Sequence, residues 1–302
     1  MPRAAPVGDG YAWAVPASTF SLAACDAERG EWGVAVASRF LAIGALCAWA
    51  EPEVGAIATQ SWIKASYGRD GLDLLARGAS APEALEQLVA RDDGREQRQI
   101  GIVDGQGRTA SFTGSACLEW AGDRTGSSYA AQGNMLVSAE TLAALAETFE
   151  ASSGSPLAER LLVALRAGQD AGGDRRGQQA AALRVVKRQG GYLGADIAVD
   201  LRVDDHAYPL DELARLYELH RLYFGSTPLE EWLAVDGALQ GELRERLARL
   251  GYESGDLAAK LDTWAGVENL EERVLGIERI DPVVLRELRR QDQAEVADDR
   301  QE

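Results

Sequence analysis

The chain has little cysteine and little histidine, and both shortages restrict its chemistry. Its 302 residues include two histidines and three cysteines, Cys25, Cys47 and Cys117, with no Cys-x-x-Cys pair. An odd, sparse cysteine count fits a reducing, cytoplasmic setting better than a disulfide framework. The acidic run at 204–206 has too few histidine or cysteine neighbours to complete a transition-metal set. We therefore predict neither a metal nor a cofactor.

Basic residues are scarce relative to acidic ones. Lys and Arg number 31 against 48 Asp and Glu, which gives a formal net charge of −17. Binding to nucleic acid or to an anionic membrane needs clustered positive charge, so the composition argues against both partners. Glycine and alanine interrupt the apolar runs, so no membrane span is predicted. The first 18 residues lack the apolar segment of a secretory signal.

Two alternating runs near the N-terminal end predict a β-hairpin. The first run, 19–24, places Phe20 and Leu22 on one face, and the second, 32–40, places Val34 and Val36 on one face. A polar, glycine-containing turn separates the runs, which is the usual hairpin pattern. The many glycines and alanines indicate that another layer packs very close to this hairpin.

The stretches 18–21 (STFS) and 33–40 (GVAVASRF) resemble the start of an uncharacterised family placed in the N-terminal-nucleophile (Ntn) hydrolase superfamily. The resemblance extends over 19–224. It implies an α+β domain built as a four-layer αββα sandwich. In relatives the chain opens at or next to the threonine, whereas 18 residues precede Thr19 here. We interpret 1–18 as a floppy extension or as a pro-segment that is removed.

The order of patterns agrees with an antiparallel α+β fold rather than with a βαβ alternation. Ser80 and Glu83 form a capping-box pattern at a helix start, and Pro156 is predicted at a first helical position. The stretch 41–49 reads as a loop. The remaining patterns predict strands at 54–60, 98–104, 108–113, 129–132, 179–187 and 198–203 and helices at 70–77, 80–89, 138–149, 155–167 and 210–224.

The segment 226–290 differs in character and predicts a small all-helical domain. Its stretches 264–273 (WAGVENLEER) and 280–285 (IDPVVL) resemble a small module named for peptidoglycan binding. A helical module with tryptophan and leucine stripes is more often a structural or oligomerisation element, so we expect a homo-oligomer. The charged stretch 291–302 is predicted to be disordered.

Thr19 is the first candidate for catalysis. A threonine hydroxyl is a poor nucleophile alone. A free α-amine on the same residue has a pKa of ~7.7–8.0 and can take the proton of the hydroxyl. This route requires removal of 18 residues. The alternative interpretation is that Thr19 is an ordinary residue at a strand start.

Ser21 and Ser38 share the Thr19 site if their strands are adjacent. By resemblance, Arg39 is the basic side chain that lowers the proton affinity of the amine. Because side chains alternate along a strand, Ser38 and Arg39 point to opposite faces, so only one of them reaches the site. Gln60 is a further polar candidate near the sheet edge.

Gln132-Gly133-Asn134 is a candidate oxyanion-binding stretch. Acyl transfer needs N–H donors aimed at the developing negative charge, and amide side chains around a permissive glycine supply them. The alternative is an ordinary strand-to-helix turn.

The glycine-rich loop 172–179 contains Asp174, Arg175 and Arg176. An arginine there could hold a substrate carboxylate through two parallel hydrogen bonds. The alternative is a solvated loop with an internal Asp–Arg pair. Together these residues favour an amidohydrolase acting on a small-molecule amide or peptide-like bond through an acyl-enzyme on Thr19. The competing hypothesis is a non-catalytic ligand-binding or assembly protein that retains the fold.

Overall fold

The computed structural model describes residues 17–298, which divide into two compact units between Tyr217 and Glu218. The sequence predicts this boundary slightly later, at Gly225–Ser226. Residues 1–16 of the predicted extension and 299–302 of the predicted tail lie outside the described residues.

The first unit contains two antiparallel sheets. The six-stranded sheet has the order β10-β9-β2-β1-β8-β7 and the four-stranded sheet the order β3-β4-β5-β6. The strands are β1 (Thr19–Asp26), β2 (Glu31–Ser38), β3 (Ala48–Glu51), β4 (Gly55–Ser61), β5 (Arg98–Asp104), β6 (Thr109–Thr113), β7 (Gly122–Gly126), β8 (Tyr129–Asn134), β9 (Ala180–Val186) and β10 (Ile197–Val203).

The predicted hairpin is confirmed, since β1 and β2 pair directly. Because its side chains alternate, the hairpin contributes to two separate hydrophobic clusters. Phe20 and Leu22 pack with helical leucines on one face of the six-stranded sheet. Ala23, Val34 and Val36 pack on the other face with small residues of the four-stranded sheet. The register places Thr19 at the end of a central strand, between β2 and β8.

Helices cover the outer face of each sheet. Helices α4 and α5 pack on the six-stranded sheet, and α2 and α3 pack on the four-stranded sheet. Fully burying one large aliphatic side chain contributes about 1.5–3 kcal/mol, so these faces supply much of the stability. The predicted capping box of Ser80 and Glu83 is confirmed at the start of α3. The helices of this unit include α1 (Gly44–Cys47), α2 (Ser66–Ala76), α3 (Ala81–Ala90), α4 (Glu140–Ala151), α5 (Leu157–Asp170) and most of α6 (Pro209–Phe224).

Several local predictions were wrong. The stretch 41–49, expected as a loop, contains α1 and the start of β3, whose small residues gave no period. Strand β7 was missed because its sequence, GDRTG, has no apolar alternation. Pro156 is the N-cap of α5 rather than its first helical residue.

The second unit is mainly helical, with α7 (Gly237–Arg249), α8 (Leu257–Val267) and α9 (Pro282–Asp298). It is not all-helical, because β11 (Leu233–Ala234) pairs with β12 (Arg279–Ile280). Its core includes the fully buried Trp264. Helix α9 continues to Asp298 through the stretch predicted to be disordered, and the buried Asp292 binds Arg246 and Arg249 of α7.

Within residues 17–298, no helix combines the length and the apolar character needed to cross a bilayer. In the same range, no three His, Cys, Asp or Glu side chains are grouped so that they could hold a metal ion.

Candidate functional site

A buried polar cluster lies between the two sheets at the start of β1. Its members are uncharged and at most 2% exposed, although most of the surrounding inter-sheet core is alanine and valine. Buried polar groups are costly unless hydrogen-bonded, so a concentration of them in an apolar layer marks this end of the sandwich as special. The cluster consists of Ser18, Thr19, Ser21, Ser38, Gln60, Gln99, Gln132 and Asn134.

Thr19 lies at the centre of this cluster. Its Oγ1 is 2.9 Å from the carbonyl oxygen of Ala17 and 3.2 Å from Oγ of Ser38, which faces it across the β1–β2 ladder. The hydroxyl of Ser38 donates in turn to the carbonyl oxygen of Ser18. A hydroxyl pair thus spans the peptide bond that joins Ser18 to Thr19.

The Ser18 carbonyl also accepts a hydrogen bond from Nη2 of Arg176, at 3.2 Å. Arg176 is held by the buried Asp174, with Nη2 and Nε at 2.9 and 3.2 Å from its two carboxylate oxygens. Asp174 also accepts from the backbone N–H of Arg39 at 3.0 Å. The internal Asp–Arg pair foreseen for this loop therefore exists, and it aims a guanidinium at the residue before Thr19.

The guanidinium of Arg39 and the side chain of Arg175 lie elsewhere. Arg39 is exposed, and its Nη1 lies beside Gly177. Of Ser38 and Arg39, only Ser38 therefore reaches the site, in line with the expectation that one of the two would. The backbone N–H of Arg175 donates to Met135 O while its side chain is exposed. Among the described residues no hydrogen bond joins either side chain to Thr19.

Ser21, Gln60 and Gln132 form the next layer of the cluster. Ser21 Oγ donates to Gln60 Oε1 at 2.6 Å and accepts from Gln132 Nε2 at 2.6 Å. Gln60 Nε2 reaches the carbonyl oxygen of Thr19 at 3.1 Å. The amide N–H groups of Gln132 are thus directed at Ser21, two residue pairs away from Thr19 along the β1–β8 ladder.

Gln99 is the member that sequence reasoning missed. Its Oε1 accepts from Gln60 Nε2 at 2.8 Å and from Asn134 Nδ2 at 2.9 Å. Its own Nε2 lies 2.8 Å from Gly133 O and 2.9 Å from Thr113 Oγ1. One side chain from β5 therefore links the amides of both sheets. The sequence signal was a glutamine directly before the apolar stretch 100–103 of β5, and glutamine is unusual at a buried position.

Two amide oxygens of the cluster, Gln132 Oε1 and Asn134 Oδ1, are buried without a hydrogen-bond partner in the described structure. Asn134 stands directly opposite Thr19 in the ladder, so both side chains are on the inter-sheet face. Gln132 Oε1 occupies the space beside Gly101, where an added Cβ would lie only 1.9 Å away. A side chain at position 101 would therefore displace the Gln132 amide.

The chain enters the site through residues 17 and 18, which are both buried. Ala17 forms an antiparallel bridge to Ser61 at the end of β4, with N–H to O distances of 2.8 and 3.2 Å. Ser61 adopts a left-handed backbone conformation there, with φ of 65°. The hydroxyl of Ser18 donates to the carbonyl oxygen of Asn134 at 3.0 Å. Ala17 and Ser18 thus fill the approach to Thr19.

The hydrogen-bond partners of the Thr19 hydroxyl carry no charge. Among the described residues, none of the groups hydrogen-bonded to the Thr19 hydroxyl titrates, because they are a serine hydroxyl and a backbone carbonyl. Cys47 Sγ lies 3.9 Å from Gln60 Oε1, and burial raises the pKa of this thiol to about 12. Cys47 is therefore a neutral thiol at pH 7 and not a competing nucleophile.

The comparisons with known proteins agree with this architecture. The model described as "Family of unknown function (DUF1028)" matches residues 19–213. The chain belongs to this family. A crystal structure of protein SPO2555 from Silicibacter pomeroyi, also assigned to DUF1028, is 31% identical, with a TM-score of 0.61. That match covers 68% of this chain and 89% of the other.

The second unit has its own match, since residues 229–288 fit the model described as "Putative peptidoglycan binding domain". This agrees with the resemblance in its sequence. No curated protein matches the chain.

Proposed function

We propose that this DUF1028 protein is an N-terminal-nucleophile hydrolase that frees Thr19 by cleaving its own Ser18–Thr19 bond and then hydrolyses a small amide or peptide-like bond. The observation that carries the proposal is the pair of donors on the Ser18 carbonyl, Ser38 Oγ and Arg176 Nη2. Helices outside two facing antiparallel sheets are also the layering expected of an αββα Ntn sandwich.

The cleavage step follows from these contacts. Thr19 Oγ1 attacks the Ser18 carbonyl carbon, and the negative charge on the carbonyl oxygen is stabilised by Ser38 and Arg176. The C–N bond then breaks, and the hydroxyl proton ends on the Thr19 nitrogen. Water hydrolyses the resulting ester, which releases 1–18 with a new carboxylate and regenerates the hydroxyl.

The products provide what the uncut site lacks. The new α-amine of Thr19 has a pKa of ~7.7–8.0, so it can accept the hydroxyl proton at neutral pH. Ser38 and Arg176 lose their contact with Ser18 and become available to a substrate carbonyl. Asn134 Oδ1, opposite Thr19 and without a partner, offers an acceptor for the new amine. In this scheme Asn134 orients the amine, while Ser38 and Arg176 bind the oxyanion.

The test is the intact mass of the purified protein, supported by N-terminal sequencing. We expect a chain beginning at Thr19 in the natural sequence and an uncut chain in Thr19→Val, which keeps the shape but removes the hydroxyl. Thr19→Ser should restore cleavage because it restores a hydroxyl. Thr141→Val is the matched control, since Thr141 has a buried hydroxyl without a partner in the described structure and lies in helix α4.

A natural chain that still begins at Met1 or Pro2 would overturn the proposal. Thr19 is fully buried while Ala17 and Ser18 are in place. If no cleavage occurs, the burial of Thr19 favours the second hypothesis, a non-catalytic binding protein.

A further inference from the structure

Ala17 and Ser18 are bound in the site as a substrate peptide would be. The two backbone hydrogen bonds between Ala17 and Ser61, at 2.8 and 3.2 Å, are those of an extended peptide that adds to a strand end. They involve only main-chain atoms of both residues. The same contact is therefore available to any ligand with a peptide N–H and C=O in the position of Ala17.

The positions of Ala17 and Ser18 accept only small side chains. Ser18 has no exposed surface, and Ala17 is 1% exposed. The hydroxyl of Ser18 is satisfied by the Asn134 carbonyl oxygen at 3.0 Å. A larger side chain at either place would have to displace packed atoms, which well-packed sites resist.

Self-cleavage and substrate hydrolysis pass through the same kind of ester. In the first, the carbonyl carbon of Ser18 is bonded to Thr19 Oγ1 before water releases it. In the second, the acyl carbon of a substrate takes that place, its amide C–N bond breaks, and its amine leaves with the proton. The acyl group of the substrate must then occupy the space that Ala17 and Ser18 vacate, because its carbonyl needs the same donors.

We propose that the acyl half of the substrate is peptide-like, with two small residues such as alanine and serine, the first of them paired to the backbone of Ser61. This inference rests on the proposed function and adds the substrate class to it. The amine half of the substrate is not restricted by these contacts.

The test uses the cut protein and chromogenic amides. Acetyl-Ala-Ser-p-nitroanilide is compared with its Ala-Leu and Leu-Ser analogues and with an analogue methylated on the alanine nitrogen, which cannot donate to Ser61 O. We expect kcat/KM to fall about tenfold or more for each larger side chain. The N-methyl analogue should fall by about tenfold, because it leaves the Ser61 carbonyl unpaired.

Two further measurements separate this inference from the proposed function. p-Nitrophenyl acetate reports whether Thr19 is acylated at all, and calorimetry compares binding of acetyl-Ala-Ser and acetyl-Ala-Leu as free acids. Acylation of Thr19 with equal rates on the Ala-Ser and Ala-Leu anilides would overturn the inference and leave the hydrolase intact. Selective binding of acetyl-Ala-Ser without any acylation would overturn the hydrolase and the substrate assignment with it. A protein that stays uncut and binds neither acid would overturn both.

Discussion

Two buried polar clusters, one in each unit of this protein, are stabilised in opposite ways. Around Thr19, the cluster consists of hydroxyls and amides, with Gln99 joining the two sheets. In the second unit, the buried polar groups are charged. Arg273 is 6% exposed and Asp281 1%, and they are joined at 2.8 Å. The same arginine also donates to the Leu222 carbonyl at 2.7 Å.

This difference shows where chemistry can occur. Charged networks of matched pairs hold structure, because each charge is already neutralised by its partner. The neutral cluster contains the Thr19 hydroxyl, hydrogen-bonded to Ala17 O and to Ser38 Oγ, but no group that can act as a base at pH 7. Under the proposed function, breaking the Ser18–Thr19 bond would supply such a base, the α-amine of Thr19 itself.

The largest effect is expected from breaking the charged network. Arg273→Met leaves the Asp281 carboxylate buried without its partner, and breaking a buried pair from one side costs about 3–5 kcal/mol. We expect the free energy of unfolding of the second unit, measured by urea titration, to fall by about that amount. Arg290→Met is the control, because its pair with Glu287 is exposed on the arginine side and should contribute about 0–1 kcal/mol. Equal losses in the two variants would contradict the comparison.

A smaller loss is expected from the neutral cluster. Gln99→Leu removes the acceptor shared by Gln60 and Asn134. Gln60 keeps its bond to the Thr19 carbonyl oxygen, so Asn134 Nδ2 is the donor left unsatisfied, at a cost of about 1–3 kcal/mol. Because no charge is involved, the loss should be the same at low and high salt. A urea titration at both salt concentrations measures it. Gln99→Glu keeps the acceptor but adds a charge, so it should lower the free energy of unfolding at least as much. An unchanged free energy of unfolding in this variant would show that water reaches the cluster despite its burial.

The smallest effect is expected from acid. The hydrogen bond from Arg289, assisted by Arg246, lowers the pKa of Glu242 from 4.5 to about 2. A carboxyl with a lowered folded pKa contributes stability above its unfolded pKa and loses it as the pH falls. The free energy of unfolding should thus decline between about pH 4.5 and pH 2, by at most about 1 kcal/mol for this partly exposed pair. Glu242→Gln should show a shallower decline over that range, whereas Gln99→Leu should leave the slope unchanged.

What could be predicted from the sequence was mainly what is local. The hairpin and the Ser80 capping box depend on neighbouring residues and were found. The alternation of Ser38 and Arg39 also predicted that only one of them reaches the site, and in the structure it is Ser38. Strand β7 was missed because it owes its place to pairing with β8 and not to its own pattern.

The site itself could be predicted only in part, since its contacts join distant parts of the chain. Thr19, Ser21, Ser38, Gln60, Gln132 and Asn134 were candidates and lie together. Gln99 was not among the candidates, because its role depends on facing the amides of both sheets. Asp174 and Arg176 were expected to bind substrate, but their bond to Ser18 could not be foreseen without the loop geometry.

The two donors on the Ser18 carbonyl are 20 and 158 positions further along the chain. They meet only after the hairpin, the central strands and the loop that follows α5 have all assembled. A nascent chain that has not yet synthesised Arg176 has no complete site, so cleavage at Thr19 would have to wait for the domain to be finished. A new N-terminus at Thr19 would then show that the molecule had folded at least once, and later unfolding would not remove it.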